Sequence, residues 1–159
     1  MGGCGILIVV IVNGYPKVGK TTFEKLCKKN NYNLSVDIFS TIDCIKDLAK
    51  ICGWDGEKTP EHRRALSELK DFTSEIYDYP FKNICEKITN SKADVCFIDS
   101  REPNDIDRIK EKFNAITVLI DNPNIEEKFS NHADSNVKSY NYNITITNDE
   151  DIYKLELLS

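Results

Sequence analysis

The chain has 159 residues, 40% of them hydrophobic and 30% charged, with only 7 Gly and 5 Pro, which excludes fibrous and low-complexity classes. A chain of this length predicts a single domain with one core, burying roughly 70% of the surface that the unfolded chain exposes. The 21 basic residues against 26 acidic ones give a net charge of -5, which excludes broad electrostatic binding of a nucleic-acid polymer or an anionic membrane and leaves any bound phosphate to a local site.

Ile6 to Val12 is a continuous apolar, mostly β-branched run, the mark of a strand buried on both faces of a parallel sheet. It is too short to span a bilayer and is followed by Asn13-Gly14 rather than a small-residue cleavage site. After a loop from Asn13 to Gly19, Phe23, Leu26 and Cys27 recur at helical spacing until the polar stretch Lys28 to Asn31. Leu34, Val36 and Ile38 alternate in a weaker second strand over Asn33 to Phe39. Ile42, Ile45, Leu48, Ala49 and Cys52 then predict an amphipathic helix with Gly53 just past its end.

Gly53-Trp54-Asp55-Gly56 reads as a turn anchored by Trp54. Thr59-Pro60 signals a helix start, a hydroxyl at the N-cap and proline at the first helical position, with Ala65, Leu66, Leu69, Phe72 and Ile76 as the expected buried stripe. A short helix over Pro80 to Ile88, a strand Asp94 to Asp99, a helix from about Asn104 to Phe113 and a strand Ala115 to Ile120 follow. Residues 122–139 are polar and weakly periodic, the candidate lid. Tyr142, Ile144 and Ile146 alternate in a last strand, and Ile152, Leu155 and Leu158 predict a closing helix. The order implies an α/β protein with a parallel sheet between helices. Cys4, Cys27, Cys44, Cys52, Cys85 and Cys96 form no C-x-x-C pair and no zinc-finger spacing with His62 or His132, so free thiols and a cytoplasmic location are expected.

Gly14-Tyr15-Pro16-Lys17-Val18-Gly19-Lys20-Thr21 matches G-x-x-x-x-G-K-[ST], the phosphate-loop (Walker A) pattern, between a strand and a helix. Glycines let successive N–H groups and the positive end of a helix dipole face a phosphate. Lys20 adds a point charge for the β- and γ-phosphates of ATP, and the Thr21 hydroxyl is a ligand for Mg²⁺. Thr22 packs beside the nucleotide, and Lys17 is exposed or reaches a phosphate.

Asp99 ends an apolar strand where phosphate-loop proteins place the acid that orients the metal's shell, or stands there solvated. Arg101, two residues on, offers a planar donor fork to a phosphoryl group. Arg63 and Arg64 fall in the first turns of the Thr59-Pro60 helix, against its dipole. They form a solvated pair, or one reaches an acceptor phosphate. His62 is read as a packing residue. Ser40 and Thr41 lie at the same sheet edge, lining the site or capping a helix. The chain carries no N-K-x-D or D-x-x-G of a GTPase and no L-S-G-G-Q of a transporter ATPase.

Beyond the loop, Gly14-x-Pro16-x-x-Gly19-Lys20-Thr21-Thr22-Phe23, Cys52-Gly53-Trp54-Asp55-Gly56-Glu57-Lys58, Arg63-Arg64-x-Leu66-Ser67-x-Leu69-Lys70, Phe97-Ile98-Asp99-Ser100-Arg101-Glu102-Pro103, Asn131-His132-Ala133-Asp134 and the ending Tyr140 to Asp149 share a pattern. In these segments the chain resembles the phage and bacterial phosphate-loop kinases related to deoxynucleoside monophosphate kinase. The resemblance implies the nucleoside monophosphate kinase fold, with a central parallel sheet of about five strands flanked by helices. It implies transfer of the ATP γ-phosphate to a nucleoside or deoxynucleoside monophosphate, with residues 42–90 as an acceptor-binding helical insert. Carried over by position, Lys20, Asp99, Arg101 and Arg64 are the implied catalytic residues, Gly14 to Thr22 hold the nucleotide, and Thr21 and Asp99 hold Mg²⁺. The implied partner is a small-molecule nucleotide, with neither a stable nucleic-acid polymer nor a membrane, on a monomer or homodimer. The segment 122–139 departs from adenylate-kinase lids by offering Lys128, His132 and Lys138 but no arginine. That departure leaves open a nucleotide-binding sensor or degenerate kinase without turnover, and the fold also suits a kinase of a non-nucleotide phosphorylated metabolite.

Overall fold

The computed structural model describes residues 7–30, 33–125 and 136–149. Its elements run β1 (Ile8–Asn13), α1 (Lys20–Asn30), β2 (Val36–Ser40), α2 (Asp43–Ile51), α3 (Pro60–Tyr77), α4 (Tyr79–Asn90), β3 (Val95–Asp99), α5 (Pro103–Phe113), β4 (Ile116–Asp121) and β5 (Ile144–Thr147). The five strands form one parallel sheet in the order β2-β3-β1-β4-β5. The expected closing helix over Ile152 to Leu158 lies outside the described residues.

Two compact units divide the chain: residues 39–90 form one, and the segments before and after them form the other. In the sheet-bearing unit, β1 pairs with β3 on one side and β4 on the other, with Val10 opposite Phe97 and Ile116, and Val12 opposite Asp99 and Val118. The crossover through α1 leads from β1 towards β2, and the one through α5 leads from β3 across β1 to β4. Right-handed connections running in opposite directions put α1 and α5 on opposite faces of the sheet. On the α1 face, Val12, Phe97, Val118 and Ile120 pack with Phe23 and Cys27, and the Phe23 and Phe97 rings meet edge to face at 6.1 Å. On the other helix, Ile106 and Ile109 are fully buried. Ile106 and Ile109 thus seal β1 and β4 as their spacing predicts.

Residues at the unit's margin are tied by polar groups. Asn143 accepts hydrogen bonds from the Thr117 amide and hydroxyl, both at 2.9 Å, and returns its own amide to the Thr117 hydroxyl oxygen. In the expected lid, Ile125 packs against the core and Val137 is fully buried within it. Residues 126–135, with Lys128 and His132, lie outside the described residues.

In the unit of residues 39–90, α3 packs against α2 and α4. Thr59 caps α3 through an oxygen that accepts the His62 amide at 3.2 Å, with Pro60 following, as the sequence predicts. Trp54 anchors the preceding turn by donating Nε1–H to the Glu57 carbonyl at 2.8 Å. The face of α3 departs from the expected stripe. Phe72 and Ile76 are more than half exposed, Ala65 is exposed, and Thr73 is the buried residue. Two short partner helices cover only a narrow arc of an 18-residue helix, and closest approach falls on small Thr73, whose hydroxyl bonds back to the Leu69 carbonyl. The five described cysteines are all free thiols, four of them buried, and burial pushes the Cys27 thiol up to about 11.

Candidate active site

The loop between β1 and α1 reverses direction through three positive φ angles, at Gly14 (151°), Lys17 (70°) and Gly19 (104°). A Cβ on Gly14 would run into the Ile120 carbonyl oxygen and Val18, so glycine there lets the loop pass close over β4. Lys20, the first residue of α1, is buried and folds back over this loop. Its Nζ donates to the carbonyl oxygens of Gly14 at 2.6 Å and Tyr15 at 3.0 Å. Tyr15 and Val18 are buried in the core, Pro16 and Gly19 are half-buried, and the Lys17 side chain is exposed. Thr21 is exposed at the helix start and Thr22 half-buried behind it.

Three side chains outside the phosphate-loop pattern brace this loop, two of them, Tyr142 and Asn148, from the Tyr140 to Asp149 segment of the resemblance. Asn13, fully buried, accepts the Gly14 amide on Oδ1 at 2.7 Å and donates Nδ2–H to the Tyr142 oxygen at 2.7 Å. Tyr142 in turn donates to the Val137 carbonyl at 2.8 Å, and burial pushes its phenol up to about 12. Asn148, just past β5, donates to the Val18 carbonyl at 2.8 Å. Lys138 stands over the Tyr15 ring at 5.7 Å and pairs with Asp121 at 3.5 Å.

Asp99 ends β3 beside the end of β1, so the sheet order brings it to the carboxyl edge next to the loop, at the point where the crossovers diverge. Because Asp99 shares its sheet face with Phe97, it lies on the α1 side. Arg101 follows at the same edge, half-buried, with its carbonyl 3.5 Å from Asn13 Nδ2. Lys20, Thr21, Asp99 and Arg101 thus belong to one unit and two neighbouring strand ends. Arg64 belongs to the other unit, exposed on α3 and 3.6 Å from Glu68.

One acid that no motif marks sits among these groups. Glu24, one helical turn beyond Lys20 on α1, is 3% exposed. Burial first, and then the negative charge of Asp99, push its carboxyl up to about 7 against the opposing pull of Lys20. A lysine, two acids and a hydroxyl beside the loop form a hard-oxygen and cationic set suited to a phosphate chain carrying a divalent ion.

No protein-family model and no curated protein sequence matches the chain. Similarity to solved structures does: shikimate kinase from Aquifex aeolicus vf5 superposes with a TM-score of 0.54 at 12% identity, covering 95% of this chain and 93% of that one. The chain shares the α/β phosphate-loop fold of that protein. Shikimate kinase from Bacteroides thetaiotaomicron gives 0.54 at 14% identity over 94% of this chain and 92% of that one. TT1252 from Thermus thermophilus gives 0.53 at 13% over 94% and 92%. Among the described residues no helix is long and apolar enough to cross a membrane.

Proposed function

We propose that the chain is an ATP-dependent phosphotransferase that moves the γ-phosphate to a nucleoside or deoxynucleoside monophosphate. The observation that carries this reading is the loop: a buried Lys20 curled onto the carbonyls of Gly14 and Tyr15, inside a turn that only glycines at 14 and 19 permit without strain. In this reading the loop of residues 14–22 takes the phosphate chain through backbone N–H groups other than those of Pro16, which has none, and Gly14, which bonds Asn13, and Lys20 spans the β- and γ-phosphates. Thr21 and Asp99 hold Mg²⁺, which when bound neutralises charge on the phosphates. Arg101 serves the transferring group, Arg64 the acceptor's phosphate, residues 42–90 receive the acceptor, and residues 122–139 act as the lid. Rate comes from positioning and charge neutralisation, with no covalent enzyme intermediate. The protein works in the cytoplasm as a monomer or homodimer.

A second acceptor class has its own support. Two of the structural neighbours are named shikimate kinases, so a small non-nucleotide metabolite is the competing acceptor. Incubation with Mg-ATP and a panel of ribo- and deoxynucleoside monophosphates and hydroxylated small metabolites, with ADP and any new diphosphate measured and Lys20→Ala as control, separates these readings. Diphosphate that appears only with wild-type protein supports the proposal. Acceptor-dependent ADP from hydroxylated metabolites alone supports the second class, and ATP binding with no transfer to any acceptor points to a sensor.

A further inference from the structure

The Glu24 carboxylate has a place in the site that neither the loop pattern nor the proposed catalytic set accounts for. Its residue is almost wholly buried, and Oε1 has no hydrogen-bond partner among the described residues. A buried acceptor left without a donor costs about 1–3 kcal/mol, and more when charged, so its persistence calls for a function. Two structural facts fix its surroundings. Glu24 lies at i+4 from Lys20, on the same helical face. It also follows Phe23, whose ring meets Phe97, and Asp99 lies two residues beyond Phe97 on that sheet face. Both neighbouring charges act on it electrostatically.

With both acids ionised, two carboxylates face one ammonium, a balance that a bound divalent cation would favour. Mg²⁺ keeps several of its waters when it binds nucleotide phosphates, and each water presents protons that need acceptors. We propose that Glu24 is a positioning residue for the metal–nucleotide complex, its carboxylate accepting hydrogen bonds from the water shell of the Mg²⁺ held by Thr21 and Asp99. This inference rests on the phosphotransferase reading and adds a second acid to its metal site. Glu24 touches no reacting atom; it acts through the metal's waters.

The test separates metal binding from nucleotide binding. Wild-type, Glu24→Gln and Glu24→Asp proteins are titrated with ATP by calorimetry, once in EDTA and once in Mg²⁺. Mn²⁺ uptake by each ATP complex is measured by electron paramagnetic resonance. The expected result is ATP affinity in EDTA within about twofold of wild type for both variants. Mn²⁺ affinity falls about tenfold in Glu24→Gln and is partly recovered in Glu24→Asp, in keeping with the usual cost of removing an outer-shell partner. Unchanged Mn²⁺ affinity, or equal losses with and without metal, overturns the role of Glu24 and leaves the kinase reading standing. Wild-type protein that takes up neither ATP nor Mn²⁺ overturns both.

Discussion

Lys17 holds a φ of 70°, where an L side chain crowds its own carbonyl at a cost of roughly 1–2 kcal/mol. Strain of this kind persists where the surrounding loop over-determines the backbone, as at ligand sites. Lys17→Gly relieves it, offset by the larger unfolded-state entropy of glycine, so a net gain of about 0.5 kcal/mol is expected in denaturant titration. The same variant loses an exposed charge at the phosphate loop, so ATP affinity falls by about threefold. Opposite signs in the two measurements are the prediction, and parallel changes contradict it.

Glu24 gives a pH dependence with a defined sign. Its folded carboxyl titrates near 7 and its ordinary value is 4.5, so between these limits the folded chain holds a proton that the unfolded chain has released. Stability is therefore fully present below about pH 4.5, falls as pH rises through 7, and levels off above, a loss of about 3 kcal/mol from this one group. Glu24→Gln has no such proton to lose. Its stability relative to wild type, measured by urea unfolding at steps from pH 5 to 8, rises with pH; a flat difference contradicts the burial of this charge.

At the scale of elements, start and stop chemistry was legible where it depends on neighbours in sequence. Thr59-Pro60 begins α3, and Gly53 follows α2 at a φ of 100°. Thr59→Ala removes the acceptor for the His62 amide and costs about 1 kcal/mol, read as a lower thermal midpoint that Thr59→Ser largely restores. Facing was legible for α5, whose Ile106 and Ile109 turn inward as spaced, but not for α3. The β1 run is buried from Ile11 onwards, where the sheet encloses it, although Ile8 at its start is 43% exposed, whereas periodicity cannot say which part of the apolar arc of α3 turns inward. Glu24 was illegible for a related reason: at a helical i+4 position an acid reads as a solvated partner of a lysine. Only the pairing of β3 with β1 brings Asp99 to the same side. Asn13, Tyr142 and Asn148 likewise meet the loop through contacts about 130 residues apart in the chain or at the end of a strand, which no local pattern encodes.

For the whole molecule, the loop, Asp99 and Arg101 come together because β1 sits between β3 and β4 and the crossovers leave it in opposite directions. The alternation of strands and helices implied a parallel sheet with helices on both faces but not this strand order, and the likeness to the Aquifex aeolicus shikimate kinase extends over 95% of the chain. The unit of residues 39–90 interrupts the strand-helix alternation between β2 and β3. The central claim is that the loop from Gly14 to Thr21, through its phosphate-facing backbone N–H groups and Lys20, receives the phosphates of ATP. Calorimetric titration of wild-type and Lys20→Ala proteins with Mg-ATP tests it most directly. One ATP bound per wild-type chain, with affinity at least about tenfold weaker in Lys20→Ala, is the expected result; no heat from the wild-type protein, or equal affinities for the two, would contradict it.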